Sequence, residues 1–236
     1  MTPMTLARRS IASLPRPLRW RTRNAIAVVR WLLTRDATGA GAQPYDGDFW
    51  RLHDSGDWDG LAGVFVRFCA PASLADVGCG DGKLLAALRR RRPALPLLGI
   101  DAAQAALDRA AAAGVLVAKH DLGSGGRADL AALRDRIAAF DVVVSLEAAE
   151  HLPPWAGRRF IDTLAGGARV VVFSAAQPDQ GGTLHMNERA PEYWRDQFAS
   201  RGYVRSPADA AFREAVARLD LAPWYAANVH VFERRG

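Results

Sequence analysis

Cysteine is scarce in the chain, and this scarcity excludes two kinds of small protein. Only Cys69 and Cys79 occur among 236 residues. Two cysteines cannot build a disulfide framework or, by themselves, a metal cluster. Cys79 lies inside a glycine-rich segment, where a small side chain is a sufficient explanation. We therefore expect both thiols to be reduced, and the sequence assigns no metal ligands.

Long hydrophobic runs are also missing. A helix that crosses a bilayer needs about 20 mostly apolar residues. The most apolar stretches, 25–33 and 142–146, are short or interrupted by Arg30. The N-terminus carries arginines, but it lacks a clean apolar core followed by a small-residue cleavage site. The sequence therefore predicts no transmembrane segment, no secretory signal and a cytoplasmic location.

Acidic residues are almost absent from the first 40 positions, which hold eight arginines and the single acid Asp36. This segment has a net charge of +7, which leaves −1 for the rest of a chain whose total is +6. A near-neutral body disfavours a catalytic surface that follows phosphates, although a basic arm can still bind them. Nucleic acid is therefore a disfavoured partner.

The composition divides the chain into a basic N-terminal extension, residues 1–40, and a main domain, residues 41–236. The extension is predicted to contain an amphipathic helix near 18–33. The apolar residues expected on one face of this helix are Trp20, Ile26, Val29, Leu32 and Leu33. The helix can close over a site, lie on a membrane surface, or pack against the domain or a partner subunit. The first and last interpretations are favoured, and a homodimer stays open.

From residue 57 onward, helical stretches alternate with short β-rich runs, as is typical of a parallel sheet covered by helices. The seven predicted strands are 74–77, 96–100, 115–118, 140–145, 168–173, 202–205 and 229–234. The expected fold class is α/β. We expect a Rossmann-like, mostly parallel sheet with helices on both faces and an antiparallel last strand.

A glycine-rich segment, Asp76-Val-Gly78-Cys79-Gly80-Asp-Gly82, follows the first predicted strand and precedes a helix. Glycine permits positive φ in such a turn and lets the backbone approach a ligand. The N-terminus of the next helix offers free N–H groups to an anionic group. The segment therefore predicts a ligand that contains a nucleoside and has an anionic end. Its G-x-G-x-G spacing differs from the G-x-G-x-x-G of dinucleotide-binding folds.

Acidic residues follow the next strands in turn. Asp101 ends the second strand, where a carboxylate can accept hydrogen bonds from ribose hydroxyls. Asp121 and Leu122 follow the third strand, and the segment from Leu146 and Glu147 follows the fourth. Each acid alone also fits a helix cap or a solvated loop. Their order at successive strand ends favours a single site.

Over residues 45–235 these segments resemble the class I S-adenosylmethionine-dependent methyltransferases of bacterial small-molecule type. The resemblance implies S-adenosylmethionine as the cofactor, with Asp121 on the adenine amino group and Leu122 against the ring. Tyr45 and Trp50 would cover the methionine portion, or would anchor a loop. The cofactor-binding residues that the resemblance implies are Asp76, Gly78, Cys79, Gly80, Gly82, Asp101, Ala102, Asp121, Leu122, Leu146, Glu147, Tyr45 and Trp50.

Two histidines, His151 and His185, are the catalytic candidates. Methyl transfer needs an aligned nucleophile and, for a hydroxyl, a group that takes up its proton. In the family that the chain resembles, the segment around His151 lies beside the cofactor whatever the acceptor is. A structural or cofactor-contacting role is therefore favoured for His151. His185 follows two glycines that let a loop fold over a pocket. It is favoured as the base or the acceptor-orienting residue, and a loop-stabilising hydrogen bond is the alternative.

A pocket for the methyl acceptor is predicted from mostly apolar side chains. The candidates are Met186 and Asn187, beside His185, and Trp224 and Tyr225, which we expect in the loop before the last strand. Core packing is the alternative for each. The expected activity is O-methylation of a small hydroxylated metabolite, such as a sugar or a specialised-metabolite intermediate. The alternatives are N- or C-methylation of a small molecule, RNA methylation with the basic arm, and cofactor binding without turnover.

Overall fold

A computed structural model describes residues 14–34, 55–123, 127–166 and 168–236. Tyr45, Trp50 and the predicted boundary at residue 40 lie outside these described residues. The strands are β1 (Leu74–Val77), β2 (Leu97–Asp101), β3 (Leu116–Lys119), β4 (Val142–Ser145), β5 (Val170–Phe173), β6 (Tyr203–Arg205) and β7 (His230–Arg234). The helices are α1 (Arg16–Thr34), α2 (Trp58–Cys69), α3 (Lys83–Arg91), α4 (Gln104–Ala112), α5 (Arg127–Ile137), α6 (Pro154–Leu164), α7 (Pro191–Ala199), α8 (Asp209–Val216) and α9 (Pro223–Asn228), and a 3₁₀ turn covers Ala149–His151.

The strands form one seven-stranded sheet in the order β3-β2-β1-β4-β5-β7-β6. Strands β1 to β5 pair in parallel. Strand β7 lies antiparallel to both β5 and β6. The predicted fold class is confirmed. The central strands β4 and β5 read as continuous valine runs because helices bury both of their faces.

Two hydrophobic layers cover the two faces of the sheet. Alternate residues of one strand point to opposite faces. Val144 accordingly packs in the layer that contains Phe65 and Phe212, whereas Val143 packs in the layer that contains Phe160 and Phe198. Since strands β1 to β5 run parallel, the segments that follow them emerge at one edge of the sheet. The acids predicted at successive strand ends are therefore brought together.

Helix α1 does not pack through its apolar stripe. Ile26, Val29 and Leu33 are 50%, 54% and 80% exposed. The opposite side meets the domain through polar groups, with Asn24 buried and the guanidinium of Arg23 2.8 Å from the carboxylate of Asp179. Periodicity located the helix and its stripe, but the helix meets the domain through its other side, where Trp31 also contacts Trp155 edge to face with ring centroids 6.4 Å apart. No helix among the described residues is long and apolar enough to cross a bilayer.

The segment before the last strand corrects a second expectation. Trp224 and Tyr225 lie on helix α9, not in a loop. Pro223 occupies the first turn of this helix, where its missing N–H leaves no bond unmade. The helix has only six residues, so it is too short to show a helical period in the sequence.

Phe198 provides a test of the core on one face of the sheet. It is fully buried, and its ring stacks on Phe232 with centroids 4.4 Å apart. We expect Phe198→Ala to lower the free energy of unfolding by about 3 to 5 kcal/mol in urea denaturation, because a large cavity remains. The control is Leu116→Ala, at an exposed position of the edge strand β3, which should change stability by less than about 0.5 kcal/mol. Equal effects of the two changes would contradict this packing.

Candidate active site

A cavity of about 450 Å³ lies at the carboxyl edge of the parallel strands. Segments after β1, β2, β3, β4 and β5 contribute to its wall, together with Trp31 of α1 and the start of α9. The residues predicted from the sequence that line it are Asp76, Gly78, Cys79, Gly80, Asp101, Ala102, Asp121, Leu122, Leu146, Glu147, His151, His185, Met186, Trp224 and Tyr225. Residues chosen at separate strand ends therefore share one cavity.

The glycine segment is fixed by close packing at its two ends. A Cβ atom on Gly78 would lie 2.7 Å from the Cβ of Ala148, in the segment after β4. A Cβ atom on Gly82 would lie 2.6 Å from the Cβ of Ala110 on α4. Both residues also have positive φ, 84° and 74°. Gly82 is not among the described residues that line the cavity. It caps α3 and permits close packing of α3 against α4, as the third glycine of such a segment does.

Asp101 braces the glycine segment from the neighbouring strand. Its carboxylate accepts hydrogen bonds from the backbone N–H groups of Gly80, at 2.9 Å, and of Ala103, at 2.8 Å. Burial raises the pKa of Asp101 in spite of these bonds. Burial and the charge of Asp101 together raise the pKa of Asp76 to about 7. Carboxylate oxygens have further lone pairs for a ligand's hydroxyl groups.

The two cysteines are both free thiols. Burial raises the pKa of the Cys79 thiol, and of the Cys69 thiol as well. Both side chains are therefore neutral near pH 7, and neither has the low pKa of a nucleophilic thiolate. Cys79 contributes a small wall residue at the glycine segment, as expected.

The two histidines pack against each other in the wall of the cavity. The ring centroids of His151 and His185 are 5.0 Å apart, and the rings meet edge to face at 82°. His151 ends the 3₁₀ turn after β4, and His185 lies in the loop after β5. The backbone N–H groups of Met186 and Asn187 donate to the carbonyl of Glu150 at 2.7 Å and 3.0 Å. These bonds tie the two segments together and fix the histidine pair.

Glu188 orients the ring of His185. Its buried carboxylate lies 3.1 Å from Nδ1 of His185 and accepts from the backbone N–H of Gly181 at 2.8 Å and of Asp179 at 3.1 Å. Burial alone would raise the pKa of Glu188, but these hydrogen bonds outweigh it and lower the pKa. An ionised carboxylate only accepts, so Nδ1 of His185 is the donor, and in the neutral imidazole the lone pair is then on Nε2. Glu188 was not predicted to have a role.

Glycine and α1 complete the support of the His185 loop. A Cβ atom on Gly182 would lie 2.2 Å from Nε2 of His185, so the loop needs glycine at that position. With its amide in the orientation that satisfies both groups, Asn24 donates to the carbonyl of His185 at 3.2 Å and accepts from the N–H of Glu188 at 3.1 Å. Trp31 of α1 adds an aromatic wall that the sequence did not predict.

Two neighbouring glutamates in the segment after β4 differ in their surroundings. Glu147 accepts from the side-chain amides of Gln180, at 2.9 Å, and Asn228, at 3.0 Å. Burial raises the pKa of Glu147 even so. Burial and the charge of Glu147 raise the pKa of Glu150 well above its usual value. Gln180 and Asn228 belong to no sequence motif, and only the fold brings them to Glu147.

The four residues predicted for the acceptor pocket have different positions. Met186 lines the cavity and is buried, and Trp224 stands partly exposed in its wall. Tyr225 meets Trp58 edge to face, with centroids 5.6 Å apart. Asn187 is fully buried and is not among the described lining residues. Its amide accepts from Arg189 at 2.9 Å, so it supports the loop from behind.

A family model described as a methyltransferase domain matches residues 59–225. A search of curated proteins finds no sequence match to the chain. An O-methyltransferase family protein from Burkholderia thailandensis has a similar structure, with a TM-score of 0.52 and 17% identity. The alignment covers 76% of this chain and 55% of that one, so this chain spans about half of that protein's length.

Two further solved structures are matched over nearly their full length. An amino pentose methyltransferase from Micromonospora echinaspora, bound to S-adenosylmethionine and involved in calicheamicin biosynthesis, has a TM-score of 0.55 and 18% identity over 83% of this chain and 98% of that one. A sugar N-methyltransferase from a Streptoalloteichus species has a TM-score of 0.57 and 16% identity over 84% and 96%. At these identities the likeness shows the fold alone.

Asp101→Ala tests the cofactor side of the cavity. The change removes the charged partner of two backbone N–H groups, a loss of about 1.5 to 3 kcal/mol for each charged hydrogen bond. We expect the affinity for S-adenosylhomocysteine, measured by calorimetry, to fall by about 10- to 100-fold. The control is Asp108→Ala, an exposed acid of α4 that accepts a hydrogen bond from the side chain of Gln104, and the affinity of this variant should be unchanged. Wild-type affinity in Asp101→Ala would remove Asp101 from the cofactor site.

Proposed function

Because the chain belongs to the methyltransferase domain family, we propose that it methylates a hydroxyl oxygen of a small metabolite, such as a sugar or a specialised-metabolite intermediate. The predicted methyltransferase family and S-adenosylmethionine as its cofactor are confirmed. The proposal therefore concerns the acceptor and the residues that act on it.

The observation that carries the proposal is the oriented histidine pair. His185 is held through Nδ1 by Glu188 and packs against His151 in the wall of the cavity. A hydroxyl group becomes a strong nucleophile only when it loses its proton, and imidazole is the side chain best matched to this near neutral pH. The pair therefore supports a hydroxyl acceptor, with His185 as the residue that deprotonates or orients it.

Beyond this base, the methyl-transfer reaction requires few groups from the protein. S-adenosylmethionine supplies its own leaving group, so the acceptor oxygen bonds to the methyl carbon while the carbon–sulfur bond breaks and its electrons stay on sulfur. The chain has to align the two reactants and receive the hydroxyl proton. We propose that Asp101 and Asp121 hold the nucleoside, while Met186, Trp224 and Tyr225 contact the acceptor.

The size of the cavity supports a small acceptor. Its volume of about 450 Å³ falls within the usual range for small-molecule sites, and the cofactor occupies part of it. Trp31, Met186 and Trp224 give it apolar surface beside the polar histidine and glutamate groups. A mostly apolar pocket with a few converging polar groups suits a compact hydroxylated molecule.

The proposed function is tested with methyl-labelled S-adenosylmethionine and a panel of sugars and other small hydroxylated compounds, each paired with its amino counterpart. We expect NMR of the product to show the label on oxygen. His185→Ala should lower kcat by about 100- to 10,000-fold, the usual contribution of a proton-transfer residue. Its affinity for S-adenosylhomocysteine should stay close to wild type.

His120→Gln is the matched control for this experiment, because His120 is not among the described residues that line the cavity. Its kcat should equal that of the wild type. Unchanged turnover in His185→Ala would remove His185 from the mechanism. Label found on nitrogen, or turnover of no hydroxylated compound in the panel, would overturn the proposed function.

A further inference from the structure

We propose that Glu150, His151 and His185 bind a divalent transition-metal ion in the wall of the cavity, and that the ion holds the hydroxyl group of the methyl acceptor. One ligand atom from each of the three side chains lies within 4.8 Å of the others. The role given to the ion rests on the proposed function, since it needs a hydroxyl acceptor. The metal site itself is inferred only from the positions of the three side chains and from the hydrogen bonds that hold them.

The donor set is that of a catalytic metal site. Bonds from imidazole nitrogen or carboxylate oxygen to zinc are about 2 Å long, so two ligand atoms on one ion lie at most about 4 Å apart. The separation of up to 4.8 Å is less than 1 Å above this limit, so only a small movement of the side chains would be needed. Two histidines and one glutamate leave a position open for water or substrate, in contrast to the four protein ligands of structural sites.

Glu150 supplies an independent reason for a cation. Its side chain is 1% exposed, and its Oε2 atom has no hydrogen-bond partner among the described residues. A buried carboxylate oxygen without a partner is costly, and native structures rarely retain one without a function. A bound cation would supply the missing partner of Oε2.

Glu188 supplies the outer partner that metal-binding histidines normally have. A histidine ligand usually donates its other N–H to a carboxylate, which fixes the ring and its tautomer. Nδ1 of His185 faces the Glu188 carboxylate at 3.1 Å, so Nε2 is the atom available to an ion. The backbone bonds from Met186 and Asn187 to the Glu150 carbonyl hold the two ligand-bearing segments in place.

The ligand types select the kind of ion. Imidazole nitrogen favours Zn²⁺ and similar transition ions over Mg²⁺ and Ca²⁺, which prefer oxygen. An acceptor hydroxyl in the open position would have a lowered pKa and would release its proton to water. The oxygen then bonds to the methyl carbon, the carbon–sulfur bond breaks, and its electrons remain on sulfur. His185 acts in this case as a ligand, and the ion replaces it as the group that activates the hydroxyl.

The site is tested on the full chain after treatment with a chelator, with Co²⁺ and Zn²⁺ as the probes. Visible absorption follows Co²⁺, and calorimetry follows Zn²⁺. We expect one ion per chain for the wild type, and His185→Ala, His151→Ala and Glu150→Gln should each weaken binding by more than about tenfold. The control His120→Gln should bind as the wild type does. S-adenosylhomocysteine affinity, measured on every variant, reports whether the fold is intact.

Absence of Co²⁺ and Zn²⁺ binding in a wild type that binds S-adenosylhomocysteine would overturn the metal site. Binding that survives unchanged in all three ligand variants would overturn it as well. Full O-methylation after chelation would overturn the role of the ion and leave His185 as the base. A bound ion without O-methylation of any compound in the panel would support the site and remove the proposed function, so the two failures are distinguishable.

Discussion

Parallel pairing of β4 with both β1 and β5 is the constraint on which the site depends. Asp76 lies level with Val144, and Ser145 lies level with Phe173, so the three strands end together. The segments after them must then share one edge of the sheet. The segments after β1 and β4 lie so close that a Cβ atom on Gly78 would be 2.7 Å from the Cβ of Ala148. A shift of β4 in register would separate the glycine segment from the glutamates and histidines.

The sequence predicted the features that have a local cause. Buried valine runs identify β4 and β5, and the backbone geometry at Gly78 requires glycine. Polar contacts between distant residues have no such signal, because periodic patterns exist only within a short stretch of sequence. Arg23 meets Asp179 across 156 positions, and Asn228 meets Glu147 across 81. The packed side of α1 was missed as well, because hydrophobicity marks the exposed apolar stripe and gives no sign that the domain covers the side with Asn24 and Trp31.

The buried acids in and beside the cavity differ in how many of their carboxylate oxygens have hydrogen-bond partners. This difference indicates which acids hold the structure and which one can bind a ligand. Glu188 accepts two backbone N–H bonds and one from a histidine ring, and Asp101 accepts two backbone bonds. Glu147 is held by two side-chain amides. Glu150 retains an oxygen without a hydrogen-bond partner among the described residues. Glu150 is thus the acid of this group that keeps a buried oxygen atom unsatisfied, and the proposed metal ion would supply the missing partner.

Residues of the basic N-terminal extension hold the loop that carries His185 in the main domain. Charge and hydrophobicity separate residues 1–40 from the rest of the chain, yet Asn24 bonds to the backbone of both His185 and Glu188. Arg23 places its guanidinium 3.9 Å from the Glu188 carboxylate that orients His185. The N-terminal helix therefore acts on the histidine through the same carboxylate that fixes its tautomer. Composition separates segments by charge and hydrophobicity, but it does not show which buried polar groups form one hydrogen-bond network. Here that network joins helix α1 to the loop that carries His185 and Glu188.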